Sequence, residues 1–115
     1  MGKAGLGASD QDLEQLTSLF RLLSDKTRLN ILLLLSAGER NVSSLCEALA
    51  LPQPTVSHHL GLLRMNSVIA NRRSGKQVFY SLNGRVEMGG AKTLQIGVER
   101  FNVAIAPLTD SAPPA

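Results

Sequence analysis

The sequence has very few aromatic residues and a single cysteine. Phe, Tyr and Trp together make up 3% of the 115 residues, and Trp is absent. Any hydrophobic core must therefore be built mainly from Leu, Ile, Val and Ala. The one cysteine, Cys46, excludes an intramolecular disulfide framework.

Long apolar runs are also missing. No stretch approaches the roughly 20 residues that a membrane-spanning helix needs, and the first eight residues contain no apolar segment of signal-peptide length. We therefore expect a cytoplasmic protein with no membrane partner. Hydrophobic residues make up 43% and charged residues 18%, which favours one globular domain with a modest core.

Acidic residues are absent from a long central segment. Between Ala48 and Val86 there is no Asp or Glu, although the net charge of the chain is only +3. Its five basic residues are Arg64, Arg72, Arg73, Lys76 and Arg85. This segregation favours a localised anion-binding face, such as one for nucleic acid. A solvated surface that merely lacks acids is the alternative.

Motifs typical of an enzyme are absent from the sequence. There is no Gly-rich phosphate-binding loop. Nucleophilic catalysis by Cys46 would need His58 or His59 to converge on it, but the apolar pattern around Cys46 points its thiol inward. We therefore expect no enzymatic activity and no cofactor.

Apolar periodicity predicts three helices in the first half of the chain. Ser9 or Asp10 can cap the first, and Asn41 can cap the third. The second is apolar almost all round, so it should be the central buried helix, with Gly38 at its end. The expected bounds are about 9–23, 26–37 and 42–49.

A fourth helix, from about Gln53 to Asn66, has two different faces. Val56, Leu60 and Leu63 fall on one side, with His59 at its edge. The other side is small and polar, which suits a helix whose backbone approaches base edges in the DNA major groove. Because a tight turn joins it to the third helix, the pair is predicted to be a helix-turn-helix. The side chains expected to contact DNA are Gln53, Thr55, Ser57 and His58. We interpret His59 as a packed, hydrogen-bonded structural residue.

Two β-prone runs follow, at 68–73 and 77–82, and flank Ser74-Gly75-Lys76. This pattern predicts a β-hairpin with a basic tip, which is suited to phosphate or minor-groove contacts as a wing. Arg72, Arg73 and Lys76 are the expected contacts. Since side chains alternate along a strand, only one of the two arginines should point towards DNA.

The last regular element is expected to be a helix from about Val86 to Ala106. Its apolar stripe would be Leu94, Val98, Phe101 and Ile105, although three glycines would weaken it. The expected fold is then mainly α with a small β-hairpin. It is a winged helix-turn-helix with about five helices and a two-stranded wing. Residues 1–8 are expected to be disordered, 9–106 to form the domain, and 107–115 to be a flexible tail.

Four segments of the chain resemble the ArsR/SmtB family of bacterial winged-helix repressors, and they occur in that family's order and spacing. They are Leu23–Leu32, Leu45–Leu49, Gln53–Leu60 and Arg72–Leu82. The resemblance implies a homodimer whose first and last helices form the interface. It also implies a two-fold symmetric operator on double-stranded DNA, bound so that transcription is blocked until an effector releases the protein.

The apolar stripes of the first and last helices favour a dimer independently of the resemblance. In a domain this small, the two stripes together exceed what one core can cover. The expected interface residues are Leu13, Leu16, Phe20, Leu94, Val98, Phe101 and Ile105. The alternative is that the two helices pack on each other within a monomer.

The metal ligands used by relatives are missing at the matching positions. Some relatives place a Cys-x-Cys pair at the third helix, but here Ala48 follows Cys46 by two residues, so the pair is absent. Cys46 also completes an apolar stripe and is expected to pack in the core, with a redox thiol or an incomplete metal site as alternatives. Residues 86–106 contain no His or Asp. We therefore expect no metal site and release from DNA by another signal. A metal-responsive repressor with an atypical site, or a winged-helix protein–protein interaction module, is the alternative function.

Overall fold

The computed structural model describes residues 5–89 and 92–108. Within them, four α-helices are followed by strands that form two three-stranded antiparallel sheets. The helices are α1 (Asp10–Leu23), α2 (Lys26–Leu35), α3 (Val42–Leu49) and α4 (Gln53–Met65). The strands are β1 (Arg40–Asn41), β2 (Ile69–Ser74), β3 (Gln77–Leu82), β4 (Val86–Gly89), β5 (Thr93–Val98) and β6 (Phe101–Ile105).

The predicted helix starts are confirmed by side-chain caps. Ser9 and Asp12 form a capping box at α1, in which the backbone N–H of each residue donates to the side chain of the other, at 3.1 and 2.9 Å. Asn41 caps α3 by accepting from the N–H of Ser44 at 2.8 Å. Each cap satisfies a backbone donor that the helix itself leaves unpaired.

The first sheet contains the predicted hairpin, which is confirmed. Strands β2 and β3 pair from Ile69↔Leu82 to Ser74↔Gln77, and β1 adds a short third strand along β3. Gly75 has a φ of +62° in the connecting turn, a conformation that glycine adopts without steric strain. The wing therefore projects from the domain as a twisted ribbon whose tip carries Gly75 and Lys76.

The predicted last helix is wrong, because Val86–Gly89, Thr93–Val98 and Phe101–Ile105 form strands. Leu94, Ile96 and Val98 are 2%, 0% and 3% exposed, whereas the residues between them are half-buried. This alternation has the period of a strand and not that of a helix. The described residues therefore contain four α-helices rather than about five, and a second sheet (β4–β5–β6) in place of the fifth.

One hydrophobic core joins the helices to both sheets. Ile31 and Leu32 of α2 and Leu45 of α3 are fully buried at its centre, and Val56, Leu60 and Leu63 of α4 close it on one side. The expectation that α2 is central is confirmed for one face only, since Leu33 is 45% exposed.

The chain ends are only partly described. Gly5–Gly7 form a short 3₁₀ turn and Ala8 is buried, which differs from the disorder expected for residues 1–8. The rest of that segment, residues 1–4, lies outside the described residues. Residues 109–115 of the expected flexible tail also lie outside the described residues.

Candidate nucleic-acid interface

The N-terminal half of α4 presents the polar face that its sequence predicts. Gln53, Thr55, Ser57 and His58 are all exposed, whereas Val56 is fully buried between them. The side chains of Gln53, Thr55 and Ser57 make no hydrogen bond with any described residue. Pro54 lies in the first turn, where its missing N–H leaves no hydrogen bond unmade. These donors and acceptors are therefore free to bind an external polar partner.

His59 lies on the inner side of α4 and is held by α2. Its Nδ1 is 3.4 Å from Nη1 of Arg28 and 3.9 Å from Oδ1 of Asp25. Arg28 also donates through Nε to the carbonyl of Leu22 at 2.7 Å, so one guanidinium joins the end of α1 to α4. The backbone N–H of Arg28, and then the charges of Arg28 and His59, lower the pKa of Asp25. His59 is thus half-buried and hydrogen-bonded, as expected, and it fixes the orientation of α4.

The two wing arginines have different environments. Arg72 donates from Nε and Nη2 to the carboxylate of Glu39 at 2.8 and 2.7 Å, and its guanidinium lies 4.7 Å from the centre of the Phe79 ring. The hydrogen bond from Arg72 lowers the pKa of Glu39, so this carboxylate is ionised at neutral pH. Arg73 is on the opposite face of the strand, and within the described residues its side chain makes only a 3.3 Å hydrogen bond to the carbonyl of Gly75.

The wing tip is tied to the start of α3. Nδ2 of Asn41 donates to Oε1 of Gln77 at 3.3 Å. Beside this contact, Lys76 and Ser43 line a small cavity of about 130 Å³. Lys76 is exposed and forms no ion pair within the described part of the chain. A mobile cation at the tip and a hydroxyl at a helix N-terminus are both groups that bind phosphate.

Sequence reasoning missed two residues that shape this surface. Glu39 lies outside the acid-free segment, yet it reaches the wing across 33 residues of sequence. The sequence places Arg85 in the basic segment but does not indicate its structural role. Arg85 donates to the carbonyls of Gly97 and Asn66, at 3.0 Å each, and so connects the second sheet to the end of α4. Neither contact has a local sequence signal, because both join distant parts of the chain.

The residues expected at a dimer interface separate into two groups. Leu13 and Phe20 of α1 are 43% and 53% exposed, and Leu16 beside them is half-buried. Leu94 and Val98 instead belong to the protein's own core. Phe101 and Ile105, on β6, are half-buried. Of these residues, only Leu13 and Phe20 are exposed, since Leu16 and Ile105 pack against the core.

Cys46 is half-buried and packs against the hydrophobic core, as its stripe predicts. Among residues 5–89 and 92–108, no three His, Cys, Asp or Glu side chains are grouped closely enough to hold a metal ion. In the same part of the chain, no helix is both long and apolar enough to cross a membrane.

Comparisons with known proteins point to one family. The sequence model described as "Bacterial regulatory protein, arsR family" matches residues 25–65, which contain α2, α3 and α4. The arsenical resistance operon repressor of Escherichia coli (strain K12) is 46% identical over 77 residues, 66% of this chain and 66% of that protein. The transcriptional repressor SdpR of Bacillus subtilis (strain 168) is 37% identical over 71 residues, 62% of this chain and 79% of that protein.

A solved structure has the same architecture. The homodimeric winged helix-turn-helix DNA-binding domain of a possible ArsR-family regulator from Mycobacterium bovis superposes with a TM-score of 0.59. It is 32% identical, and the superposition covers 68% of this chain and 75% of that one.

Proposed function

Because this chain belongs to the arsR family of bacterial regulatory proteins, we propose that it is a homodimeric, sequence-specific DNA-binding repressor of transcription. The observation that carries the proposal is the exposed polar face of α4. Gln53, Thr55 and Ser57 make no side-chain hydrogen bond with any described residue. The exposed ring of His58 makes an edge-to-face contact with the ring of His59. The four exposed residues stand at the helix end that reads bases in helix-turn-helix proteins. A protein–protein module would not need the acid-free segment that surrounds them.

Each part of the interface has a distinct role in this proposal. Ser57 and His58, with Gln53 and Thr55, contact base edges or phosphates in the major groove. Arg73 and Lys76 contact phosphates or the minor groove from the wing. Arg72 contributes less, because Glu39 already holds its guanidinium.

The two-fold symmetry of a homodimer sets the form of the operator. Two α4 helices would enter successive major grooves about 34 Å apart and read two inverted half-sites. If each protomer neutralises roughly three to five phosphates, log K against log salt concentration should have a slope of about −5 to −9. A slope near zero, or one monomer bound per site, would contradict the proposal.

Selection of genomic DNA fragments by the protein, followed by sequencing, would identify the operator. The decisive protein is then the double variant Ser57→Ala, His58→Ala. Its control is Ser18→Ala, on the exposed side of α1. Each lost base contact should weaken operator binding by roughly 1–3 kcal/mol while leaving non-specific binding almost unchanged. Normal operator binding by the double variant would show that α4 does not read the sequence as we propose.

We further propose that release from DNA does not require a transition metal. Tight zinc sites use four ligands, with His and Cys prevailing, and thiophilic metals need several thiolates. Cys46 has Ala48 where a second thiolate would stand, and both histidines lie in α4. Titration with Zn(II), Ni(II), Co(II) and As(III) tests this. Stoichiometric binding that weakens the operator complex at least tenfold, about 1.4 kcal/mol of coupling, would overturn it.

A further inference from the structure

The second sheet extends beyond the helices that cover it. Val86, Ile96 and Val103 form a row of neighbours on three adjacent strands and pack against the core. Val86 is 2% exposed and Ile96 is 0% exposed. The next row outwards is Met88–Leu94–Ile105. There Met88 is 42% exposed, and the facing residue of α2, Leu33, is 45% exposed. The end of α2 and the end of the sheet therefore diverge with apolar side chains on both walls.

A cavity of about 540 Å³ lies in this wedge. Its walls are formed by Leu33 and Ala37 on one side and by Met88, Leu94 and Ile105 on the other, with Ala106 at the rim. This volume is in the range that binds small organic molecules. No residue of α1 lines the cavity, so it is separate from the apolar stripe assigned to the partner subunit.

Around the cavity, the backbone carbonyls at the end of α2 have hydrogen-bond donors, whereas one cation has no partner among the described residues. The carbonyls that end α2 are already occupied, because Leu32, Leu34 and Leu35 accept from backbone N–H groups and Leu33 accepts from the hydroxyl of Ser36. Lys92, in the turn before β5, also lines the cavity. Its ammonium pairs with no described residue, and no Asp or Glu is among the described lining residues. The wedge thus combines an apolar interior with one uncompensated positive charge.

We propose that this cavity is a binding site for a small amphipathic monoanion, such as an aliphatic or aryl carboxylate. The apolar body would lie between Leu33, Met88 and Leu94, and the carboxylate would pair with Lys92. A carboxylate complements the cation, and an apolar body removes the exposed side chains of Met88 and Leu33 from water. The binding site follows from this geometry alone, whereas its role as an effector site rests on the proposed DNA-binding function.

One strand and two hydrogen bonds connect the cavity to α4. Leu94 and Gly97 belong to the same strand, β5, and the carbonyl of Gly97 accepts from Arg85. The same guanidinium donates to the carbonyl of Asn66, the residue that ends α4. A shift of β5 on ligand binding would therefore be transmitted to the C-terminal end of the recognition helix. Occupancy of the cavity is then expected to change operator affinity.

The binding site can be tested without DNA by titrating the full-length protein with octanoate and, separately, with octan-1-ol. Amide chemical shifts would report the position of each probe. We expect saturable binding of octanoate at one site per protomer below about 1 mM, with shifts centred on Met88, Leu94 and Ile105. Lys92→Gln should weaken octanoate binding about tenfold, the low end for a hydrogen bond to a charged group, and leave octan-1-ol binding unchanged.

Two further variants make the titration decisive. Lys26→Gln, exposed at the other end of α2, is the control and should bind octanoate as the unmodified protein does. Ala106→Trp should fill the cavity from its exposed rim and abolish binding of both probes. No saturable binding, equal octanoate affinity of the Lys92 and Lys26 variants, or shifts centred on α1 would overturn the site.

The effector role has its own readout. Operator affinity is measured with and without saturating octanoate for the unmodified protein and for Lys92→Gln. A change of about fivefold or more that Lys92→Gln removes would support it, since allosteric couplings usually start near that size. If octanoate binds at Lys92 but operator affinity stays constant, the effector role is wrong while the binding site stands. Failure of the unmodified protein to bind any operator would instead count against the proposed function.

Discussion

Glu39 alters the charge of the wing more than any other acidic residue in the described chain. Its carboxylate occupies both Nε and Nη2 of Arg72, so this cation is partly neutralised within the protein. The same hydrogen bond raises the pKa of Arg72 and lowers that of Glu39, so both groups stay ionised around neutral pH. The basic segment found in the sequence therefore overstates the charge that the wing presents to DNA.

Removing this carboxylate should strengthen DNA binding. Glu39→Gln frees Arg72 for one phosphate, which should steepen the slope of log K against log salt by about 0.9 per protomer and raise non-specific affinity at low salt. Fluorescence anisotropy over a salt series measures both. Glu47→Gln on the exposed side of α3 is the control. If the two variants have the same slope, Arg72 does not reach the phosphates even when it is released.

Asp12 gives the fold a pH dependence at its N-terminal end. Two hydrogen bonds with Ser9 form the capping box, and Nε of Arg100 lies 3.4 Å from Oδ2. The hydrogen bond from the Ser9 backbone, and secondarily the Ser9 hydroxyl and Arg100, lower the pKa of Asp12 below its ordinary value of 3.8. Because the folded state binds this proton less tightly than the unfolded state, the contribution is complete above the unfolded pKa. It is lost as the pH falls through the lower, folded pKa.

Asp12→Asn should therefore be less stable than the unmodified protein at neutral pH, and the difference should shrink in acid. Urea unfolding at several values between about pH 6 and pH 2.5 measures it. Asp10→Asn, exposed in the first turn and without a side-chain hydrogen bond to a described residue, is the control. A deficit for Asp12→Asn that stays constant down to the lowest pH would rule out the ionised carboxylate as its cause.

At the scale of elements, the sequence predicts α1 to α4 and the wing because their signals are local. Helices α1, α3 and α4 each combine an apolar stripe with a capping residue or a proline in the first turn. Helix α2 is apolar almost all round and is capped by Asp25, and the hairpin has a glycine at its turn. The residues of the exposed polar face of α4 follow from the same periodicity. The contacts of Glu39, Arg85 and Arg100 could not be predicted, since each depends on how distant segments pack.

The second sheet was missed because its sequence satisfies two periods at once. Leu94, Val98, Phe101 and Ile105 recur at helical spacing, but Leu94, Ile96 and Val98, then Phe101, Val103 and Ile105, alternate as strands do. The helix interpretation leaves Ile96 and Val103 off its stripe. Gly89 and Gly97, which would weaken a helix, are tolerated in the strands. Weighing the β-branched residues more heavily would have favoured strands.

Ile96 distinguishes the two structures by experiment. In the sheet it is fully buried at the centre of β5, so Ile96→Ala should lower the free energy of unfolding by about 2–4 kcal/mol. Asn102→Ala, exposed on the neighbouring β6, should change it by less than about 0.5 kcal/mol. Chemical denaturation measures both. A small effect at Ile96 together with a large one at Phe101 would instead indicate the helical arrangement.

At the scale of the whole molecule, the second sheet changes how two copies can meet. The family resemblance implies an interface formed by the first and last helices. Here Leu94 and Val98 are instead buried in the protomer's own core. Arg100 strengthens that closure, since it donates to the carbonyl of Gly7 and lies beside Asp12 at the start of α1. What remains for a partner is the stripe on α1, where Leu13 and Phe20 are exposed on the side away from Leu19 and Leu22.

Dimerisation should therefore depend on α1. Phe20→Asp places a charge in the middle of the stripe and, because Phe20 is 53% exposed, leaves the protomer core intact. We expect the dimer dissociation constant to rise about thirtyfold or more, the effect of losing a contact worth about 2 kcal/mol. Operator binding should fall with it, since one protomer reads only one half-site. Ser18→Asp, on the other side of α1, is the control. Sedimentation equilibrium and operator titration on the same samples separate the two effects. A Phe20→Asp protein that stays dimeric would move the interface to the second sheet, where β6 is an edge strand among the described residues and could pair with a partner strand.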